Sequence, residues 1–107
     1  MSVTRVDTPA DDVVAEARRR GARVGRVGPV DDKRALLAAI GTALRFPAYY
    51  GHNLDALEEC LGDLTGDVVL VWEGDDVLRK ADPRTHRVVL EVLAAAPLDV
   101  VLTGQRG

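Results

Sequence analysis

The sequence predicts an α/β domain: a three-stranded parallel sheet with flanking helices and one extra N-terminal helix. Two observations carry that expectation. An alternating segment at 23–27, with Val24 and Val27, and short apolar runs at 68–72 and 100–102 are separated by longer segments whose apolar residues recur at helical spacing. Strands that alternate with helices pair in parallel through right-handed crossovers. A chain of 107 residues is one domain, residues 1–107, with a single core, and 47% hydrophobic with 29% charged residues is the composition of an ordinary globular protein.

Asp11 to Arg20 reads as the extra helix. Asp11 or Asp12 can cap it, Val13, Val14 and Ala17 give it an apolar side, Arg18-Arg19-Arg20 suits its negative end, and Gly21 stops it. Arg23 to Val27, bounded by glycines, is the first strand. Asp31-Asp32 caps a second helix on which Leu36, Leu37, Ile40 and Leu44 share a face, and Phe46-Pro47 ends it because the residue before proline avoids the α region. A loop from Ala48 to His52 leads to Asn53, a good N-cap. Leu54, Leu57, Leu61 and Leu64 then form the inward stripe of a third helix, turning its acids outward. Val68 to Trp72 is a continuous apolar strand, covered on both faces. Asp75 to Ala81 is a short helix or turn, Thr85 to Ala96 a helix with Val88, Val89, Val92 and Leu93 inward, and Val100 to Leu102 the last strand. Trp72 belongs to the core or the sheet edge, and His86 to the surface.

Several function classes are disfavoured at once. No apolar run approaches the roughly 20 residues that cross a bilayer, so no membrane partner is expected. Met1 to Arg5 lacks the basic and apolar regions of a secretory signal. A single cysteine, Cys60, fits a reducing compartment, so a cytoplasmic protein is expected, with Cys60 as a small buried side chain. A net charge of −3 without a clustered basic patch argues against direct nucleic-acid binding.

The most informative chemistry is the charge distribution. Between Phe46 and Leu78 lie Asp55, Glu58, Glu59, Asp63, Asp67, Glu73, Asp75 and Asp76, with no Lys or Arg among them. Asp55, Glu59 and Asp63 are four apart, so a helix places them on one face, where each like-charge pair costs about 0.2–0.5 kcal/mol. A helix that keeps such a stripe without basic neighbours holds it for something outside the chain.

The stretch from Phe46 to Leu61, FPAYYGHNLDALEECL, closely resembles the signature of the barstar family, intracellular inhibitors of secreted bacterial ribonucleases. The resemblance implies that the loop and the acidic helix enter a nuclease active site. Asp55 and Glu59 become the central carboxylates, Tyr49 and Tyr50 lie beside them, and Gly51, His52 and Asn53 shape the loop. Glu58 and Asp63 stand at the rim. Of the two tyrosines, one packs under the loop and the other, Tyr49, faces out. Gly51 is expected to supply a backbone conformation that other residues resist.

The physics agrees with this assignment. A guanyl-specific ribonuclease must bind a phosphodiester, and a carboxylate on a rigid helix can take the phosphate's place against arginine. Steering by the acidic field would speed the encounter, an effect documented for the barnase–barstar pair itself. The implied partner is a guanyl-specific bacterial ribonuclease in a 1:1 complex, with the free inhibitor a monomer. The chain departs from the family pattern at Glu58 and Leu64, where aromatics are common. It departs again in the final helix, which usually contributes an acid in the family, whereas here Arg87 lies near that place, with Glu91 one turn on. These changes point to a nuclease with a differently shaped rim.

Two other readings keep the binding class: an immunity protein against a polymorphic nuclease toxin, and a regulatory interaction module. An enzyme is disfavoured, because no phosphate loop, metal-spaced His or Cys pair or nucleophile elbow is present. Carboxylates on one helix also do not straddle a substrate. No cofactor and no metal are implied.

Overall fold

Four strands, one more than the sequence predicts, form the centre of the molecule in a computed structural model that describes residues 2–104. In chain order the elements are β1 (Ser2–Val6), α1 (Ala10–Arg19), β2 (Arg23–Val27), α2 (Lys33–Ala43), α3 (Leu54–Gly62), β3 (Val68–Glu73), α4 (Asp75–Ala81), α5 (Pro83–Ala95) and β4 (Asp99–Thr103). The sheet is parallel throughout, in the order β1-β4-β3-β2. The predicted α/β class, parallel pairing and flanking helices are therefore present, and the predicted strand number is corrected from three to four.

The added strand is β1, where the sequence reading saw only the approach to a helix. Ser2 pairs with Asp99 and Val6 with Thr103 along the edge of the sheet. Val3, Thr4 and Val6 have the β-branched character of a strand. Its inward side, however, carries Arg5, which breaks the alternation that marks a half-buried strand. Arg5 is tolerated because Asp75 meets it with both oxygens, at 2.9 and 2.8 Å.

The period of two along each strand divides the core. Val68, Leu70 and Trp72 face one side and join α2, α3 and α5 in the larger cluster. Val69 and Val71 face the other and meet Ala10, Val14 and Ala17 of α1. Every residue of 68–72 is buried, as a strand covered on both faces requires. Leu36, Leu37 and Ile40 of α2 and its C-cap Leu44 are at most 1% exposed. Full burial of each such side chain contributes about 1.5–3 kcal/mol, so packing fixes this helix against the sheet. Gly25 permits the close approach: a Cβ there would lie 2.9 Å from the Ala43 carbonyl oxygen and from Leu44 Cδ2. The Arg23 guanidinium then donates to the Leu44 carbonyl, one of the acceptors that the helix end leaves without a partner.

Other boundaries differ in detail. α1 begins after Pro9, and Asp11 and Asp12 lie in its first turn rather than at the cap. α5 begins at Pro83, two residues before the predicted Thr85, because Asp82 is the cap; its side chain accepts from both the amide and the hydroxyl of Thr85, at 3.1 and 2.6 Å. Pro83 fits the first turn, where no amide donor is needed.

His86 corrects another expectation. It is 7% exposed, with Nε2 2.7 Å from Asp75 Oδ2 and its ring 5.8 Å from that of Trp72. The residues 86, 89 and 93 make one inward stripe of α5, and a buried imidazole is allowed there because a carboxylate faces it. Burial alone would raise the Asp75 carboxyl, but hydrogen bonds from Arg5 and His86, with their charge, outweigh it and hold it below the usual range. Trp72 is fully buried in the core. Among the described residues no helix is long and apolar enough to cross a membrane.

Candidate functional site

The candidate surface is built from the end of α2, the loop after it and α3. α2 stops in a Schellman turn. Arg45 takes the left-handed conformation at φ 55°, Phe46 N donates to Gly41 O at 2.9 Å, and Arg45 N donates to Thr42 O. Phe46-Pro47, read as the stop, lies just beyond it. Tyr50 N then donates to Pro47 O at 2.9 Å and closes a turn that drives the Tyr50 ring inward.

That ring lies directly on α2. Its hydroxyl donates to Leu37 O at 3.0 Å, and Phe46 and His52 meet it edge-on at 5.0 and 4.9 Å. Gly41 makes the space: a Cβ there would come within 2.7 Å of two Tyr50 ring carbons. Burial, with the nearby charge of Cys60, pushes the Tyr50 phenol up to about 12. Tyr49, the other ring, is 78% exposed. The two tyrosines thus divide as predicted.

Gly51 does not have the special backbone expected of it; the left-handed residue of the loop is His52, at φ 51°. What constrains Gly51 is space, since a Cβ would stand 3.1 Å from Asn53 Nδ2. Asn53 is the N-cap, its Oδ1 accepting from Ala56 N at 2.8 Å. α3 buries Leu57, Cys60 and Leu61 and turns Asp55, Glu58, Glu59 and Asp63 to solvent. Asp63 is the C-cap rather than a residue of the helix body, but its backbone stays in the right-handed helical region, so it continues the stripe. A carboxylate at that end opposes the helix dipole. Cys60 is buried, and burial with the charges of Glu59 and Asp63 raises its thiol pKa.

The acidic block divides in two. Asp67 is held by Arg20 through two bonds of 2.9 Å, which lower its carboxyl pKa. Glu73 meets Arg26 at 3.4 Å, Asp76 meets Lys80 at 3.6 Å, and Asp75 meets Arg5 and His86. Asp55, Glu58, Glu59 and Asp63 make no ion pair with any described residue. In the sequence all eight look alike, because Arg5, Arg20 and Arg26 reach their carboxylates from distant positions. Only the Asp76–Lys80 pair, four residues apart on one helix, could have been read locally. Arg87 and Glu91 are both exposed on α5. Among the described residues no group of three or more His, Cys, Asp or Glu side chains could hold a metal ion.

A parallel α/β domain with an outward acidic helix and a rigid aromatic loop beside it is a protein-interaction domain in class. A family model described as "Barstar (barnase inhibitor)" matches residues 24–104, and the chain belongs to the barstar family. The match begins within β2, so β1 and α1 lie outside it. None of the curated proteins compared matches the chain.

Two solved structures share the fold. A chain in the structure of Drosophila ORC bound to AT-rich DNA and Cdc6 is 18% identical, with a TM-score of 0.57 over 97% of this chain and 40% of that one. A chain in the structure of Drosophila ORC bound to DNA is 17% identical, with a TM-score of 0.60 over 99% of this chain and 67% of that one. At these identities the likeness is one of fold alone.

Proposed function

We propose that this protein inhibits a secreted bacterial ribonuclease by laying the loop 49–53 and the outer face of α3 into the nuclease active site. The observation that carries the reading is the division of the acidic block: four acids have partners within the chain, and the four on α3 and its C-cap make no ion pair among the described residues. Carboxylates fixed on a packed helix lose little freedom on binding, and they offer arginine the geometry of a phosphate. Asp55 and Glu59 are the central groups, Glu58 and Asp63 the rim. Tyr49 supplies exposed aromatic area next to them, held by the buried Tyr50. The complex is 1:1, the target is guanyl-specific, and the free inhibitor is a cytoplasmic monomer without catalytic activity of its own.

The test is an RNA-cleavage assay with barnase and related small secreted ribonucleases, titrated with the chain. Stoichiometric loss of cleavage is expected with at least one of them. Glu59→Ala should weaken that complex by about 2–5 kcal/mol, the range seen when one partner of a desolvated charge pair is removed, the barnase–barstar interface included. Undiminished cleavage across the panel, or RNA turnover by the chain itself, would refute the reading.

A further inference from the structure

We infer that the nuclease-facing surface has a second, cationic half: a cleft bearing Lys33, Arg34 and His52 that takes a carboxylate side chain from the rim of the bound nuclease. The inference rests on the proposed inhibitor function and adds the polarity of its partner. The cleft, about 440 Å³, opens between the first turn of α2 and the loop corner, and Leu37 and Gly51 complete its lining. No acid lines it. Arg34 makes no ion pair among the described residues, and Lys33 acts on Asp82, the cap of α5, only through space.

His52 is held there by its ring contact with Tyr50, against the cost of its backbone. Its backbone sits at φ 51°, a conformation that most side chains resist, and its ring rests edge-on against Tyr50, itself bonded to Leu37 O. A second cleft of about 310 Å³ shares His52 and Tyr50 and carries Arg45. The cations Lys33, Arg34 and Arg45 thus belong to α2 and its end, while the four unpaired acids belong to α3 and its end. The loop between the helices is the seam between the two signs. A nuclease cleft positive on every side would be repelled by the α2 half. The complementary partner is a positive cleft with an acid on one rim, and this polarity fixes the orientation of docking.

The full chain is titrated by two-dimensional amide NMR with an acetylated, amidated tri-glutamate peptide, and with the tri-lysine peptide as control. Saturable shifts at Lys33, Arg34, Gly51 and His52 are expected with the glutamate peptide only, and Arg34→Glu should remove them. Scattered or non-saturating shifts would overturn the inference whatever the nuclease does. In the nuclease assay Arg34→Glu should weaken the complex roughly tenfold or more, as like charges set opposite one another do. A complex weakened by Glu59→Ala but not by Arg34→Glu refutes the cationic half and leaves the inhibitor function standing. Saturable peptide binding at the cleft without inhibition of any ribonuclease does the reverse.

Discussion

Replacing Gly41 by Ala should destabilise this protein, although the same change in the interior of most helices stabilises them. Helix propensity favours alanine by about 1 kcal/mol. Against that, the new methyl would stand 2.7 Å from the Tyr50 ring, which Phe46 and His52 pin from either side and Leu37 O holds by its hydroxyl. Forcing a carbon into such a contact costs typically about 1–3 kcal/mol. Displacing the ring also forfeits its hydrogen bond, about 0.5–1.5 kcal/mol more. The net is a loss of about 0.5–3.5 kcal/mol, and a domain of this size loses about 4–8 °C of Tm per kcal/mol.

A second readout comes from the phenol. Its folded pKa of about 12 lies above the unfolded value, so its contribution to stability is full below about pH 10 and is lost as pH rises towards 12. In Gly41→Ala the displaced phenol should ionise earlier, which ultraviolet phenolate absorbance would record. Thermal melts of Gly41→Ala, Tyr50→Leu and the double variant close the cycle: the alanine should cost little once the ring is gone. A higher Tm for Gly41→Ala, with the late phenol titration intact, would refute this account of the loop.

Two other perturbations probe the remaining charges. Asp75→Ala leaves Arg5 and His86 without their carboxylate and should cost about 3 kcal/mol, the low end for a buried pair because Arg5 is half exposed, measured by urea unfolding at neutral pH. The lowered Asp75 carboxyl contributes fully above about pH 4 and loses that contribution as pH falls through its folded value, so the gap between wild type and variant should narrow in acid. Asp63→Asn removes a carboxylate from the wrong end of α3 and should stabilise the fold by about 0.3–1 kcal/mol, while slowing association with the ribonuclease.

Much of this architecture was legible because it rests on local pattern. The leucine stripe of α3, the Asn53 cap, the doubly buried strand at 68–72 and the opposed tyrosines all follow from spacing and residue type. What was not legible depends on partners remote in the chain. β1 is a strand because β4 offers it an edge, and its Arg5 is permitted by Asp75 seventy positions later. His86 reads as a surface residue until that same carboxylate is placed beside it. The left-handed residue of the loop is His52, whose imidazole rests on Tyr50, rather than its glycine neighbour, which no local rule anticipates. The acidic block divides in a way its spacing does not reveal, since arginines of β1, α1's end and β2 claim part of it.

That division also gives the most direct test of the central claim. Two multiple variants should be compared for unfolding free energy and for ribonuclease inhibition. One neutralises the unpaired acids (Asp55→Asn, Glu58→Gln, Glu59→Gln, Asp63→Asn), and the other the partnered ones (Asp67→Asn, Glu73→Gln, Asp75→Asn, Asp76→Asn). The α3 variant should fold at least as stably as the wild type, because like-charge repulsion is relieved, and should lose inhibition. The second should lose stability and, measured per folded molecule, inhibit as well as the wild type. Inhibition that survives neutralisation of α3, or that is lost with the partnered set alone, would contradict the account.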